Sequence, residues 1–261
     1  MTMTYGAYLK VDELLSLQDL RSDPEEHDEM LFIIIHQTYE LWFKQVLHEL
    51  GKLRADLQTG ATWAAAKTLR RILTIAKTLV AQIDILETMT PLEFLGFREF
   101  LESSTGFQSW QFREVEIVCG YRSPTAIARV QQDVPEHYAS LQARMSEPTL
   151  WHCYVDYLRR RGHGVAEPVA VRDRGLIYDP DPETQRVLVE VMRSDPEASL
   201  VTELLVDLDE GLQEWRYRHA KMVERTIGTQ SGTGGSAGAE YLHTTTNRSI
   251  FPDLWAIRAQ F

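Results

Sequence analysis

From Leu31 to Leu57 the apolar side chains return at helical intervals: Leu31, Ile34, Ile35, Trp42, Val46, Leu50, Leu53 and Leu57. Steps of three, four and seven residues set side chains on one face of a helix, whereas a strand needs alternation. A helix of this length runs the width of a small domain, so whatever else folds here must pack along it. Glu25, Glu26, Asp28 and Glu29 follow Pro24 and place negative charge where the helix dipole favours it. Gly60 supplies the stop.

The rest of the chain repeats the pattern. A second helix is expected over about Trp63 to Thr88, rich in Ala, Leu, Lys and Arg, which are good helix formers. Thr90-Pro91 reads as an N-cap with proline at the first helical position, opening a short helix through Leu101. Ser103 to Gly106 form a break before a helix from about Gln108 to Cys119. Ser123-Pro124 repeats the cap signal, and Pro148 opens a helix through Arg161 that Gly162 and Gly164 end. Val165 to Asp181 reads as a loop. Short helices are expected near Glu183 to Arg193 and after Pro196, then a last long one from about Leu200 to Ile227. Period-two segments and internal repeats are both missing. The fold class is therefore all-α, a single domain over residues 1–261 with a smaller helical subregion at about 123–198.

Charge and cysteine usage narrow the function. The formal net charge is −11, which gives no electrostatic reason to bind nucleic acid or an anionic membrane. The run Arg159, Arg160, Arg161 reads as a solvated helix end. Cys119 and Cys153 form no CxxC or CxxCH pattern, so a zinc ribbon, a redox pair and covalent haem attachment are unsupported. No apolar run approaches the about 20 residues that span a bilayer, and residues 1–10 lack the blocks of a signal peptide. The cytoplasm is the expected compartment.

Among the residues that can carry chemistry, HExxH is absent, and the single ExxH, Glu240 to His243, does not make a carboxylate-bridged di-iron pair. His36 lies in the apolar string Phe32-Ile-Ile-Ile-His36, with Glu40 one turn later on the same face. It is either a hydrogen-bonded core histidine or one that faces a pocket beside Phe32. His219 ends the string Trp215-Arg-Tyr-Arg-His219 late in a long helix, as a haem ligand or as a cation near the helix C-terminus. Arg98 follows Phe94-Leu-Gly-Phe97. Amid such neighbours it needs either a protein carboxylate or a ligand carboxylate. The glycines of residues 228–238 signal tight turns or close approach to a small ligand, or else a linker.

Several strings together carry a resemblance: Tyr5-Gly-Ala-Tyr8-Leu9, His27 to Gln37, Glu40 to Gln45, Leu86-Glu-Thr-Met-Thr90, Phe97-Arg98-Glu, Gly106-Phe-Gln-Ser109, Trp215 to His219 and Gly232-Thr-Gly-Gly-Ser236. In that order they resemble the tryptophan 2,3-dioxygenases. The resemblance implies a helical haem-binding bundle of the tryptophan/indoleamine dioxygenase type that assembles as a homotetramer. It implies insertion of both atoms of O2, the co-substrate, into the indole C2–C3 bond of L-tryptophan or a close analogue, giving N-formylkynurenine.

Carried onto this chain, the resemblance makes His219 the proximal ligand of a non-covalent haem b (iron), with Trp215 beside the cofactor. His36 orients the indole N–H, and Phe32, Phe94 and Leu101 wall the ring. Arg98 takes the substrate carboxylate, with Thr105, Gly106 and Thr233 near its polar end and the bound oxygen. Tyr5, Tyr8 and Leu9 resemble residues that complete a neighbouring subunit's pocket. Thr105 and Ala237 stand where the family usually has serines. They keep a second outcome open, transfer of one oxygen atom to tryptophan or a methylated tryptophan to give an oxindole-type product. A haem sensor or helical interaction module is the non-enzymatic alternative, and an amino-acid clamp argues against it.

Overall fold

The computed structural model describes residues 2–165, 180–235 and 238–261. Ala237, and the loop expected over Val165–Asp181 apart from Val165, Pro180 and Asp181, lie outside the described residues. Among the described residues there is no β-strand. A short arm, α1 (Tyr5–Leu9) and α2 (Val11–Leu14), precedes the long α3 (His27–Thr59) and α4 (Thr62–Leu86). Then come α5 (Pro91–Arg98), α6 (Trp110–Cys119), α7 (Pro124–Asp133), α8 (Pro135–Ser146) and α9 (Leu150–Arg160). The chain closes with α10 (Pro182–Ser194), α11 (Pro196–Ile227), α12 (Gly238–His243) and α13 (Pro252–Ala256).

The helix ends follow their local chemistry. Gly60 closes α3 at φ 72°, and its N–H returns to the Asp56 and Leu57 carbonyls. The chain turns back at once into α4, so the two long helices pack side by side. Thr90 and Glu93 form a reciprocal capping box at α5, with Pro91 in its first turn. Ser109, Ser123, Thr149, Asp181 and Asp195 cap α6, α7, α9, α10 and α11.

Three expectations change. The sequence reading did not resolve α8, which Pro135 separates from α7. A short helix after Pro196 and a long one from Leu200 are one continuous α11, because the Asp195 cap and Pro196 start it and nothing in residues 197–200 interrupts it. Arg161 is not merely solvated: it pairs with Asp195 at 2.7 Å and Glu197 at 3.1 Å, tying the end of α9 to the start of α11.

The frame is α3, α4 and α11, with α4 packed along both of the others. Leu50, Leu53 and Leu57 of α3 meet Leu69 and Ile72 of α4, Val201 and Leu205 of α11, and Tyr154 and Leu158 of α9. Each fully buried side chain of this size contributes about 1.5–3 kcal/mol. A second apolar cluster gathers Ile35, Ile83, Leu86, Phe94, Phe97 and Met222 at the other part of the frame. A third, smaller one joins Ile117 to Ile127, Val130 and Leu141 under α7 and α8.

The C-terminal segment is held by one buried carboxylate. Asp209 of α11 accepts from the Ile250 and Phe251 N–H groups at 2.8 and 2.9 Å and from the Trp255 indole N–H at 3.0 Å. The segment thus closes the core with the fully buried Phe251 and Leu254.

Candidate active site

Between α3, α4, α5, α6, α11 and the glycine-rich stretch lies a cavity of about 250 Å³. Phe32, His36, Phe94, Arg98, Leu101, Thr105, Gly106, Trp215, His219 and Thr233 all line it. These residues span 202 positions of sequence, from 32 to 233, and only the packing of the frame brings them together.

Phe32 is fixed by its neighbours. Its ring centroid lies 4.1 Å from that of His36, 5.9 Å from Phe94 and 5.4 Å from Phe97, and Phe94 meets Phe97 edge to face. This aromatic wedge forms one wall with Leu101 beside it.

The tautomer of His36 follows from its helix. Nδ1 lies 2.7 Å from the Phe32 carbonyl, an acceptor only, so Nδ1 carries the proton and donates. Nε2 is left with its lone pair, and the ring surface is open to the cavity although it sits deep among protein atoms. Burial pushes the imidazole pKa down, against the Phe32 carbonyl and Glu40, which act upward. Glu40 is held in turn by Gln111 of α6, which donates to its carboxylate at 2.8 Å and to its backbone carbonyl at 3.0 Å.

His219 lies stacked against Trp215, centroids 5.3 Å apart and planes 4° from parallel. Trp215 is itself wedged by Phe112 at 4.8 Å and Phe43 at 6.2 Å. Burial first, then the nearby His36 and Arg113, push the His219 pKa down to about 4. The ring is therefore neutral. Among the described residues it makes no hydrogen bond, so it does not serve as a cation for the helix end.

Arg98 has no carboxylate partner among the described residues. It donates instead to the Gln230 side chain and the Ser231 carbonyl at the entry to the glycine-rich stretch. Gly238 makes this geometry possible: it sits at φ 58°, and a Cβ there would come within 2.6 Å of the Gln230 carbonyl oxygen. Thr105 caps the turn Gly106–Gln108, its hydroxyl accepting from the Phe107 N–H at 3.5 Å. At Gly106 a Cβ would meet nothing within 4 Å, so the glycine leaves open space rather than relieving strain.

Tyr5, Tyr8 and Leu9 are not among the residues lining this cavity. They lie on α1 and are 79%, 73% and 45% exposed.

The lining fits the porphyrin that the resemblance implies. A neutral imidazole with a free nitrogen faces a mostly apolar slot, which is the donor that a b-type haem requires of a protein. Among the described residues no group of three or more His, Cys, Asp or Glu side chains is placed to hold a bare metal ion. Nor is any described helix long and apolar enough to cross a membrane.

The sequence reading missed Arg113, Glu116, Tyr121 and Arg216, which also line the cavity. Arg216 stood in the string Trp215 to His219, but nothing local distinguishes it from a surface arginine.

A sequence model of the family described as Tryptophan 2,3-dioxygenase matches residues 1–160 and 172–261. A tryptophan 2,3-dioxygenase of Herpetosiphon aurantiacus is 54% identical over 257 residues, covering 98% of this chain and 98% of its own length. One from Anaeromyxobacter sp. (strain K) is 53% identical over 98% of this chain and 95% of its own. One from Nocardioides sp. is 43% identical over 99% and 94%. Single-oxygen transfer finds no support among these relatives, each of which bears the dioxygenase name. With the family match running through the strings that build the cavity, this helical chain belongs to the tryptophan 2,3-dioxygenase family.

Proposed function

We propose that the protein inserts both atoms of O2 into the C2–C3 bond of L-tryptophan and releases N-formylkynurenine. The observation that carries this reading is the convergence of His219, His36 and Arg98 on one aromatic-walled cavity, the two imidazoles each with a nitrogen that makes no hydrogen bond and Arg98 with no carboxylate partner among the described residues. The tryptophan 2,3-dioxygenases are haem-dependent oxidoreductases, and the relatives' names support the same substrate here.

His219, its ring plane held by Trp215, would hold the iron of a non-covalent b-type haem. When bound, the haem supplies the redox chemistry with O2. His36 accepts the indole N–H at Nε2, because the Phe32 carbonyl holds the proton at Nδ1. It orients the ring and need not remove a proton. Phe32, Phe94 and Leu101 wall the indole and exclude water, which strengthens every charged contact inside. Arg98 offers its guanidinium fork to the substrate carboxylate. Thr233 and the backbone around it would close on the amino-acid end, with Thr105 and Gly106 in the same lining.

By resemblance to the family the protein assembles as a homotetramer in which Tyr5, Tyr8 and Leu9 complete a neighbouring subunit's pocket; their exposure, away from their own subunit's cavity, accords with that. The two unpaired, buried thiols accord with the cytoplasm.

Product mass tests the reading. The reduced, haem-loaded protein is given L-tryptophan and isotopically labelled O2. Two labelled atoms in a ring-opened product bear it out, and one labelled atom in a ring-intact product overturns it in favour of single-oxygen transfer.

A further inference from the structure

Arg113, Glu116, Tyr121 and Arg216 of the cavity lining, with Arg248 beside them, form a cationic cluster that the roles above do not use. Arg113 of α6 and Arg216 of α11 both grip Glu116, at 2.5 and 2.8 Å. Arg216 lies over the Tyr121 ring, 5.2 Å from its centroid, and donates to the Arg248 carbonyl at 3.0 Å. The Arg248 guanidinium also lies 5.9 Å from the Tyr121 centroid and donates to the Tyr121 hydroxyl. Among the described residues Glu116 is the only carboxylate paired with any of these three arginines. Three cations and one anion leave a surplus of two positive charges.

That surplus sits in an awkward place. The Arg216 and Arg113 side chains are only 5% and 14% exposed, and an arginine cannot shed its proton. Arg113 and Arg216 share a single carboxylate and the half-buried Arg248 has none, so the cluster is short of anions and calls for an anionic partner. The cavity that it borders is the one in which a haem would lie. Arg98 belongs to a separate group, since its hydrogen bonds go to Gln230 and Ser231.

We propose that Arg113, Arg216, Tyr121 and Arg248 anchor the two propionate carboxylates of the haem, with Glu116 as the residue that positions Arg113 and Arg216. This rests on the haem reading given above. The charges balance: two carboxylates against two uncompensated guanidinium charges. The chemistry divides in the same way, because a porphyrin face suits the aromatic walls while its propionates cannot be left among them. Arg113 and His219 line the same cavity, so the cluster and the iron ligand can serve one cofactor.

The test compares haemin with its dimethyl ester, which keeps the macrocycle and iron but caps both carboxylates. The full-length protein, freed of haem, is titrated with each while the Soret band is followed. The wild type should bind haemin at least ~10-fold more tightly than the ester, the smaller end of what one charged hydrogen bond contributes. Arg113→Gln and Arg248→Gln should each remove most of that preference, leaving ester affinity near the wild-type value. Equal affinity of the wild type for both forms overturns the anchor while leaving the haem reading intact. So do variants that weaken both forms alike, which would make the cluster a structural ion-pair network. Binding of neither form by the wild type refutes the haem reading and the anchor with it. The wild-type comparison does not depend on any variant folding.

Discussion

Gly238→Ala separates the fold from the clamp that it supports. Gly238 has φ 58°, where a side chain costs about 1–2 kcal/mol. Its new Cβ would also stand 2.6 Å from the Gln230 carbonyl oxygen, which is backbone and cannot rotate away. The substitution should therefore cost about 2–3 kcal/mol. At roughly 2–4 °C per kcal/mol for a chain of this size, Tm should fall by about 5–10 °C. The relief must come from residues 230–231, and these hold Arg98 through the Gln230 side chain and the Ser231 carbonyl. The guanidinium should shift with them. A misplacement of about 1 Å costs up to ~100-fold, so KM for tryptophan should rise about 10-fold or more. Gly235→Ala is the control: φ is 69°, but a Cβ there meets nothing within 4 Å. It carries the same backbone strain without the collision. Scanning calorimetry and steady-state kinetics on both variants decide the matter. If Gly238→Ala lowers Tm and leaves KM where Gly235→Ala leaves it, the glycine-rich stretch does not position Arg98.

The other expectations are simpler. Arg98→Lys keeps the charge but loses the fork, and Arg98→Ala should weaken tryptophan binding by about 2–5 kcal/mol; an unchanged Kd in calorimetric titration would make Arg98 a purely structural tie to the Gln230 loop. His219→Ala should abolish haem retention on a desalting column, and retained haem with an unaltered Soret band would remove the ligand assignment. Asp195 is held well below the usual carboxylate range by Arg161, with the Ala198 N–H and His163 assisting against burial. Because its folded pKa lies below the unfolded one, its contribution is complete above about pH 4–5 and is lost as pH falls through the acid range. Asp195→Asn should therefore flatten the fall in urea midpoint between about pH 5 and 3, and an identical slope would deny Asp195 that role. Phe251→Ala, at a fully buried position, should cost about 3–5 kcal/mol in denaturant unfolding; a loss under 1 kcal/mol would mean that the C-terminal segment does not close the core.

Much of the helical framework was legible because its causes are local. Apolar spacing marked α3, and Thr90-Pro91, Ser123-Pro124 and Gly60 punctuated the chain where they stand in the structure. Local reasoning failed where signals were ambiguous at short range. A proline can open a helix or end one, so α8 went unseen and the start of α11 was broken in two. Of the candidate site, each local reading of His36, His219 and Arg98 left two alternatives open. The family strings named the site's members without supplying its geometry.

By itself the sequence determined the helical class, the helix ends at Gly60, Thr90 and Ser123, the acidic and thiol-poor character and the family, since these depend on neighbours along the chain. Only the tertiary structure decided that His36 and His219 face one cavity, that Arg98 meets no carboxylate among the described residues, and that Asp209 pins residues 250–255. It alone assembled Arg113, Glu116, Tyr121, Arg216 and Arg248. The physical reason is range. Backbone propensity and capping act within a turn or two, whereas a charge surplus is a sum over side chains that touch in space. Glu116 and Arg216 are 100 residues apart along the chain and 2.8 Å apart in the fold.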